Sequence, residues 1–170
     1  CGRYYPERVD DVAWENDLTA FRAYGPALQE TGERAFGYDI WTKYNTTEPV
    51  VEARYEGELN PDMKTKIAEL GKMDPKAAQE LYRSVSYHVD HGNGLDCYKV
   101  GPTLGGGTTA LMAGDTIVYP YCYATQEILD NGPLRFTVKL VYNPLVVKGD
   151  STIIETRIIT LDAGSYCNKT

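Results

Sequence analysis

Histidine is nearly missing from this chain, with 2 in 170 residues. Imidazole is the side chain whose ordinary charge change falls near neutral pH. Any histidine acid–base chemistry therefore rests on His88 or His91. Runs of basic residues are absent too, and 17 Lys and Arg against 24 Asp and Glu leave a net charge of −7. Neutralising phosphates takes clustered cations, so a nonspecific nucleic-acid binder is excluded. The apolar runs are strand-length, which excludes an encoded membrane span. The four cysteines, Cys1, Cys97, Cys122 and Cys167, form no CxxC pair and match no zinc spacing. They read as buried free thiols, with a Cys97–Cys122 bridge as the alternative in an oxidising compartment. No GK[ST] follows Gly105-Gly106-Gly107 and no GxGxxG occurs, so that loop cradles no phosphate. There is no GxSxG, and no Ser or Cys has an obvious paired His, which leaves nucleophilic catalysis unsupported. Heptads, low-complexity tracts and internal repeats are absent as well.

What is present is tyrosine: 14 Tyr against 3 Phe and 2 Trp. Tyrosine joins a flat apolar face to a polar tip, which suits half-buried sheets and also the C–H face of a pyranose. Hydrophobic residues make up 42% and charged residues 24%, the balance of one globular domain. Two Asn-X-Thr triplets, at Asn45 and Asn168, are of a kind that occurs often by chance and carry no weight.

Along the chain, residues 3–17 (RYYPERVDDVAWEND) mix charge and aromatics with no clean period and read as an ordered loop. Residues 18–24 (LTAFRAY) and 38–44 (YDIWTKY) alternate as strands, the second with Tyr38, Ile40 and Thr42 on one side and Asp39, Trp41 and Lys43 on the other. Asn60-Pro61 and Asp74-Pro75 are helix-start signals. They predict helices over 62–70, stopping at Gly71, and over 76–85, as an insertion spanning 60–86. Residues 95–100 form a short predicted strand. Residues 116–129 and 134–142 predict a hairpin turning at Asn131-Gly132, with Leu134, Phe136, Val138, Leu140 and Tyr142 on one face. A last strand is predicted over 152–161, its sheet ending unpaired after Leu161. The fold class is therefore all-β, an antiparallel β-sandwich with a short two-helix insertion.

Two clusters can carry chemistry. His88, Asp90, His91 and Asp96 lie close together near turns. They fit an acid–base or substrate-binding site, a weak metal site on His88, Asp90 and His91, or a hydrogen-bonded polar loop. A divalent metal there is the one cofactor reading the chain offers. Glu7, Arg8, Asp10, Asp11, Trp14, Glu15, Asp17 and Arg22 form the second cluster. They fit a proton-transfer network with Trp14 as stacking platform, or a solvated loop with Trp14 as a core plug. Both clusters are expected to meet at one concave site.

The segments PERVDDVAWENDLTAFRAYGPAL (6–28), YHVDHGNGLDCYKVG (87–101), LDNGPLRFTVKLVYNP (129–144) and ETRIITLDAGSYCNKT (155–170) resemble, in order, a bacterial family catalogued as domain of unknown function 4861. The likeness runs along nearly the whole chain and is weakest over 60–84. It implies a secreted or periplasmic protein of polysaccharide degradation, with a fold like the galactose-mutarotase supersandwich. It also implies that this is the N-terminal part of a longer protein whose C-terminal part is its partner. The substrate it implies is a uronic-acid-containing, pectin-type glycan, cleaved by a glycoside hydrolase or a lyase. In that setting His88 or His91 is acid or base, and Asp90, Asp96 or Glu15 the carboxylate partner. Arg3 and Arg22 bind a substrate carboxylate, and Trp14 and Tyr98 stack on sugar. The alternatives are a noncatalytic glycan-binding module and a structural accessory domain.

Overall fold

A computed structural model describes residues 1–44, 46–147 and 149–170, so the Asn45 triplet lies outside the described residues. Strand β1 (Gly2–Tyr5) leads through a 3₁₀ turn (Pro6–Arg8) into β2 (Asp11–Glu15) and β3 (Thr19–Ala23). The short helix α1 (Pro26–Glu30) precedes β4 (Asp39–Lys43). Helices α2 (Val51–Leu59), α3 (Pro61–Met73) and α4 (Pro75–Val85) follow, and then β5 (Gly94–Asp96). The chain continues through β6 (Leu111–Ala113), β7 (Thr116–Val118), β8 (Tyr123–Asn131), β9 (Arg135–Tyr142), β10 (Leu145–Val147), β11 (Asp150–Ile153) and β12 (Thr156–Asp162). The protein is thus β-rich, built mainly of antiparallel sheets with few helices.

One sheet runs β1-β2-β3-β4-β5 and another β12-β9-β8; β6-β7 and β10-β11 are two-stranded. The two larger sheets share one core. Val12, Trp14, Phe21, Ala23 and Tyr38 from the first meet Tyr123, Phe136, Val138, Leu140, Tyr142, Ile159 and Leu161 from the second. Trp14 stacks between Phe21 and Phe136, each ring 6.0 Å away. The alternation read in 38–44 is realised: Tyr38 and Ile40 face this core, while Trp41 faces the other side. In β9 the apolar face holds from Phe136 to Tyr142, but Leu134 sits exposed in the turn.

Residues 3–17 are not a loop. They form β1, the 3₁₀ turn and β2, paired from Gly2↔Trp14 to Tyr5↔Asp11. Every residue of β2 is buried, so its charged positions point into an interior rather than to water. That erases the apolar–polar alternation by which strands are recognised. The β1–β2 connection is tight: Val9 and Asp10 take φ of 47° and 64°. Val9 is β-branched, so this left-handed backbone is strained and has to be held by its surroundings. Tyr4 donates to the Asp10 carboxylate, Tyr123 to the Asp10 carbonyl, and the backbone N–H of Ala27 to Asp10 Oδ2 at 3.3 Å. Gly25 makes this approach feasible, since a Cβ there would lie 1.8 Å from the Asp10 carbonyl oxygen.

The helical region begins earlier than expected, because α2 carries no start signal of its own. Val50 precedes it without a capping side chain. Instead the Glu15 carboxylate accepts from the Val50 N–H at 2.9 Å and the Val51 N–H at 3.0 Å. This cap comes from a strand 35 residues away in sequence. Asn60 accepts from the Met63 N–H and Asp74 from Lys76 and Ala77, as the sequence implies. Helix α3 nevertheless runs through Gly71 and ends only at Asp74. The β8–β9 hairpin forms, but its turn lies at 132–135, closed by Gly132 N–H to Arg135 O at 2.9 Å. Neither Asn131 nor Gly132 takes a positive φ, so the expected left-handed Asn-Gly turn is not used. The predicted strand over 95–100 shortens to β5, and the one over 152–161 divides into β11 and β12. Strand β12 is an edge strand, bridged on its outer side at Thr160↔Lys169. All four cysteines are free, as expected, and no Cys97–Cys122 bridge forms; burial holds for Cys122 alone, while Cys1, Cys97 and Cys167 are exposed.

Candidate functional site

The side of the five-stranded sheet away from the shared core bears the charges. Arg3, Ala13, Arg22 and Asp39 lie in one cross-strand row through Arg3↔Ala13, Ala13↔Arg22 and Arg22↔Asp39. Asp96 joins from β5, opposite Trp41. Over this face pack Val51 and Tyr55 of α2 together with Tyr87, in a second core with Tyr5, Ala13, Ala20 and Trp41.

Arg22 is the centre of a buried charge network. It bonds Asp39, reaches Asp96 Oδ2 at 2.9 Å, and lies 4.0 Å from Asp11 Oδ2. The Trp41 indole N–H donates to Asp39 Oδ2 at 3.1 Å. Arg8 lies 3.8 Å from Asp11 and donates to the Tyr87 hydroxyl at 3.1 Å. Burying one arginine with three carboxylates is expensive unless the charges are matched and hydrogen-bonded. Asp11 shows the imbalance. Burial pushes its carboxyl up to about 7, against the opposing pull of Arg22 and Arg8. Burial likewise raises Asp96, again against Arg22.

His88 stands at the edge of this network. Its Nδ1 is 3.5 Å from Asp96 Oδ2 and 3.2 Å from the Asp96 carbonyl oxygen. Its side chain is 54% exposed, so the ring reaches water while one nitrogen is held. A cleft of about 780 Å³ opens here, lined by Arg8, Arg22, Tyr24, Arg34, His88, Asp96, Tyr98 and Lys99 among others. The two sequence clusters touch in this cleft, through Arg8 and Arg22 on one side and His88, Asp96 and Tyr98 on the other.

The remaining candidates are engaged elsewhere. Trp14 is 0% exposed with both ring faces covered, so it is a core residue and offers no stacking surface. Glu15 caps α2 and pairs with Lys43 at 2.6 Å, outside the cleft lining. Arg3 binds Glu7 and Glu52 at 2.6 and 2.8 Å, also outside the cleft lining. Asp90 accepts from Tyr44 and from the Gly92 and Gly94 N–H groups, closing its own turn. His91 Nε2 lies 3.0 Å from the Ser86 carbonyl oxygen. His88, Asp90 and His91 therefore take three different partners, and among the described residues no three His, Cys, Asp or Glu side chains form a metal-holding group. Asp39, Tyr24, Tyr87, Arg34 and Lys99 were not singled out from the sequence. For Asp39 a signal existed: an acid on the same side of β4 as Trp41.

No solved structure matches the chain. It is similar to Uncharacterized protein P7 of Formosa agariphila, at 29% identity over 170 residues. The match covers 96% of this chain but 37% of that protein, so the chain spans little more than a third of its relative's length. The model of the family described as Domain of unknown function (DUF4861) matches residues 1–170, and the chain belongs to that family.

Proposed function

We propose that the chain supplies the cleft of a carbohydrate-active protein that cleaves uronic-acid-containing glycans, and that it does so by elimination. The observation that carries this reading is the cleft itself. In a protein of net charge −7, its lining gathers Arg8, Arg22, Arg34, Lys99 and His88 against two acids, Glu33 and Asp96. Such a lining suits an anionic ligand, and a guanidinium fork suits a carboxylate. Arg8 and Arg34 bind and neutralise the uronate carboxylate, which acidifies the neighbouring C5–H. His88 accepts that proton at Nε2 while Asp96 steadies Nδ1. The C4–O bond breaks, the electron pair of the C5–H bond becomes the C4=C5 double bond, the leaving oxygen takes up a proton from water, and the hydroxide so formed takes the proton held by His88. Tyr98, 40% exposed, offers its ring to the sugar. Hydrolysis by paired carboxyls is less well supported, because Asp96 is tied to Arg22. In the same proposal the two larger sheets belong to a supersandwich-like β-sandwich, the rest of the longer protein completes it, and the protein works in the periplasm or outside the cell.

The test uses the full-length protein on pectic and other uronate oligosaccharides, following both reducing ends and the absorbance of unsaturated products. Unsaturated product is expected, and His88→Ala should lower turnover by about 10²–10⁴-fold. New reducing ends without unsaturation would replace elimination by hydrolysis. Binding without turnover, unchanged in His88→Ala, would leave a glycan-binding module, and no binding at all a structural domain.

A further inference from the structure

Next to the cleft, three aromatic side chains stand together at the surface. Phe36 lies 5.3 Å from Tyr119 and 5.6 Å from Tyr121, ring centre to ring centre, with interplanar angles of 32° and 89°. Tyr119 is 37% and Tyr121 47% exposed. Neither tyrosine is needed to fill either core. The backbone beneath them is anchored nonetheless. Pro120 and Cys122, which flank Tyr121, are buried. The Cys122 N–H donates to Gln29 Oε1 at 3.0 Å, which fixes this segment to α1. An aromatic surface held on anchored backbone loses little conformational entropy when it binds.

The group is continuous with the cleft. Tyr24, Glu33 and Ala35 line both the cleft and a small hollow beside Phe36 and Tyr121. Within one short segment, Arg34 turns to the cleft and Phe36 to the tyrosines. A ligand leaving the cleft over this rim therefore passes Glu33 and then meets flat aromatic faces rather than further cations. Rings of this kind match the C–H face of a pyranose, and the tyrosine hydroxyls can meet its hydroxyls.

We propose that Phe36, Tyr119 and Tyr121 form a stacking subsite for the next sugar unit of a glycan chain held in the cleft, an inference that rests on the cleft reading above. The subsite recognises the sugar face and not its charge, so it lengthens the bound chain without adding to the anion binding.

The experiment measures, by calorimetry on the full-length protein with every variant made in a His88→Ala background that suppresses cleavage, the affinity for digalacturonate and hexagalacturonate. Tyr121→Ala is expected to weaken hexamer binding by roughly five- to tenfold and to leave the dimer unchanged. Tyr121→Phe, which keeps the ring, should bind both as the His88→Ala parent does. Equal loss for both lengths would mean a structural role and would overturn the proposal, as would an unchanged hexamer affinity. Should Tyr121→Ala fail to fold, Tyr119→Ala carries the same expectation. Arg34→Ala separates the two ideas. If it weakens both oligomers while neither tyrosine variant affects the hexamer, the cleft reading stands and the stacking subsite falls. If the His88→Ala parent binds neither oligomer, both fall together.

Discussion

The two faces of the five-stranded sheet are built from alternate residues of the same strands, yet they are held by opposite physics. On one face Val12, Trp14, Phe21 and Ala23 close against the second large sheet, whose inward side adds one buried charge, Arg157, over the rings of Tyr38 and Tyr142. On the other, Asp11, Arg22, Asp39 and Asp96 are as deeply buried, under α2 and Tyr87. The apolar face gains from burial itself, at roughly 25 cal/mol per Å². The charged face loses on burial and recovers only through matched partners. Its match is incomplete: among the described residues Asp11 Oδ1 and Arg22 Nε are buried without a hydrogen-bond partner. The face that opens into the cleft is thus the one whose buried carboxyls, Asp11 and Asp96, have their pKa raised by burial, which is where acid–base chemistry is to be sought.

Neighbouring residues on β3 put this contrast to the sharpest test. Phe21→Ala and Arg22→Leu should each destabilise the fold by about 3–5 kcal/mol, one by a cavity and one by stranding carboxylates. Denaturant unfolding at two pH values separates them. The Arg22→Leu loss should shrink in acid, where Asp11 and Asp96 take up protons, while the Phe21→Ala loss should not. Equal pH response in both variants would erase the distinction between the faces.

A smaller effect concerns the pH slope of stability. Burial holds the Asp11 carboxyl at about 7 in the folded chain, against an ordinary unfolded value of about 3.9. The folded state then binds more protons than the unfolded one between those values. Stability from this group is therefore full below about pH 4, falls as pH rises through about 7, and stays constant above. Asp96 is shifted in the same direction. Asp11→Asn should flatten the decline, as measured by urea unfolding across that range. An unaltered slope would remove Asp11 from the account.

The smallest expected effect comes from Arg3, which lies in the same cross-strand row as Arg22 but at the sheet edge. Its side chain is 40% exposed where it pairs with Glu7 and Glu52. Arg3→Ala should cost no more than about 1 kcal/mol. A loss approaching that of Arg22→Leu would mean that burial does not govern the strength of these pairs.

Several of these features can be read directly in the sequence, because their causes are local. Alternation assigns the two sides of 38–44, and Asn60-Pro61 and Asp74-Pro75 mark α3 and α4 through caps only two or three residues away. The β8–β9 pairing follows from two alternating runs, even though the turn between them takes another geometry. Where the cause is remote, the reading fails. Helix α2 starts on a carboxylate from β2, so nothing beside Val51 announces it. Strand β2 is buried on both sides, so its charges look like a loop.

The sequence by itself determined the β-rich class, the helical interruption, the family and the two clusters of ionisable residues. Only the tertiary structure decided which members of those clusters meet. It sent Trp14 into the core, spent Glu15 on a helix cap, and left Arg3 at an edge. It brought Arg8 and Arg22 to His88 and Asp96 at one cleft. The reason is that chemistry depends on distances of a few ångströms between residues far apart in the chain. Strand register and helix packing set those distances, and no local pattern encodes them.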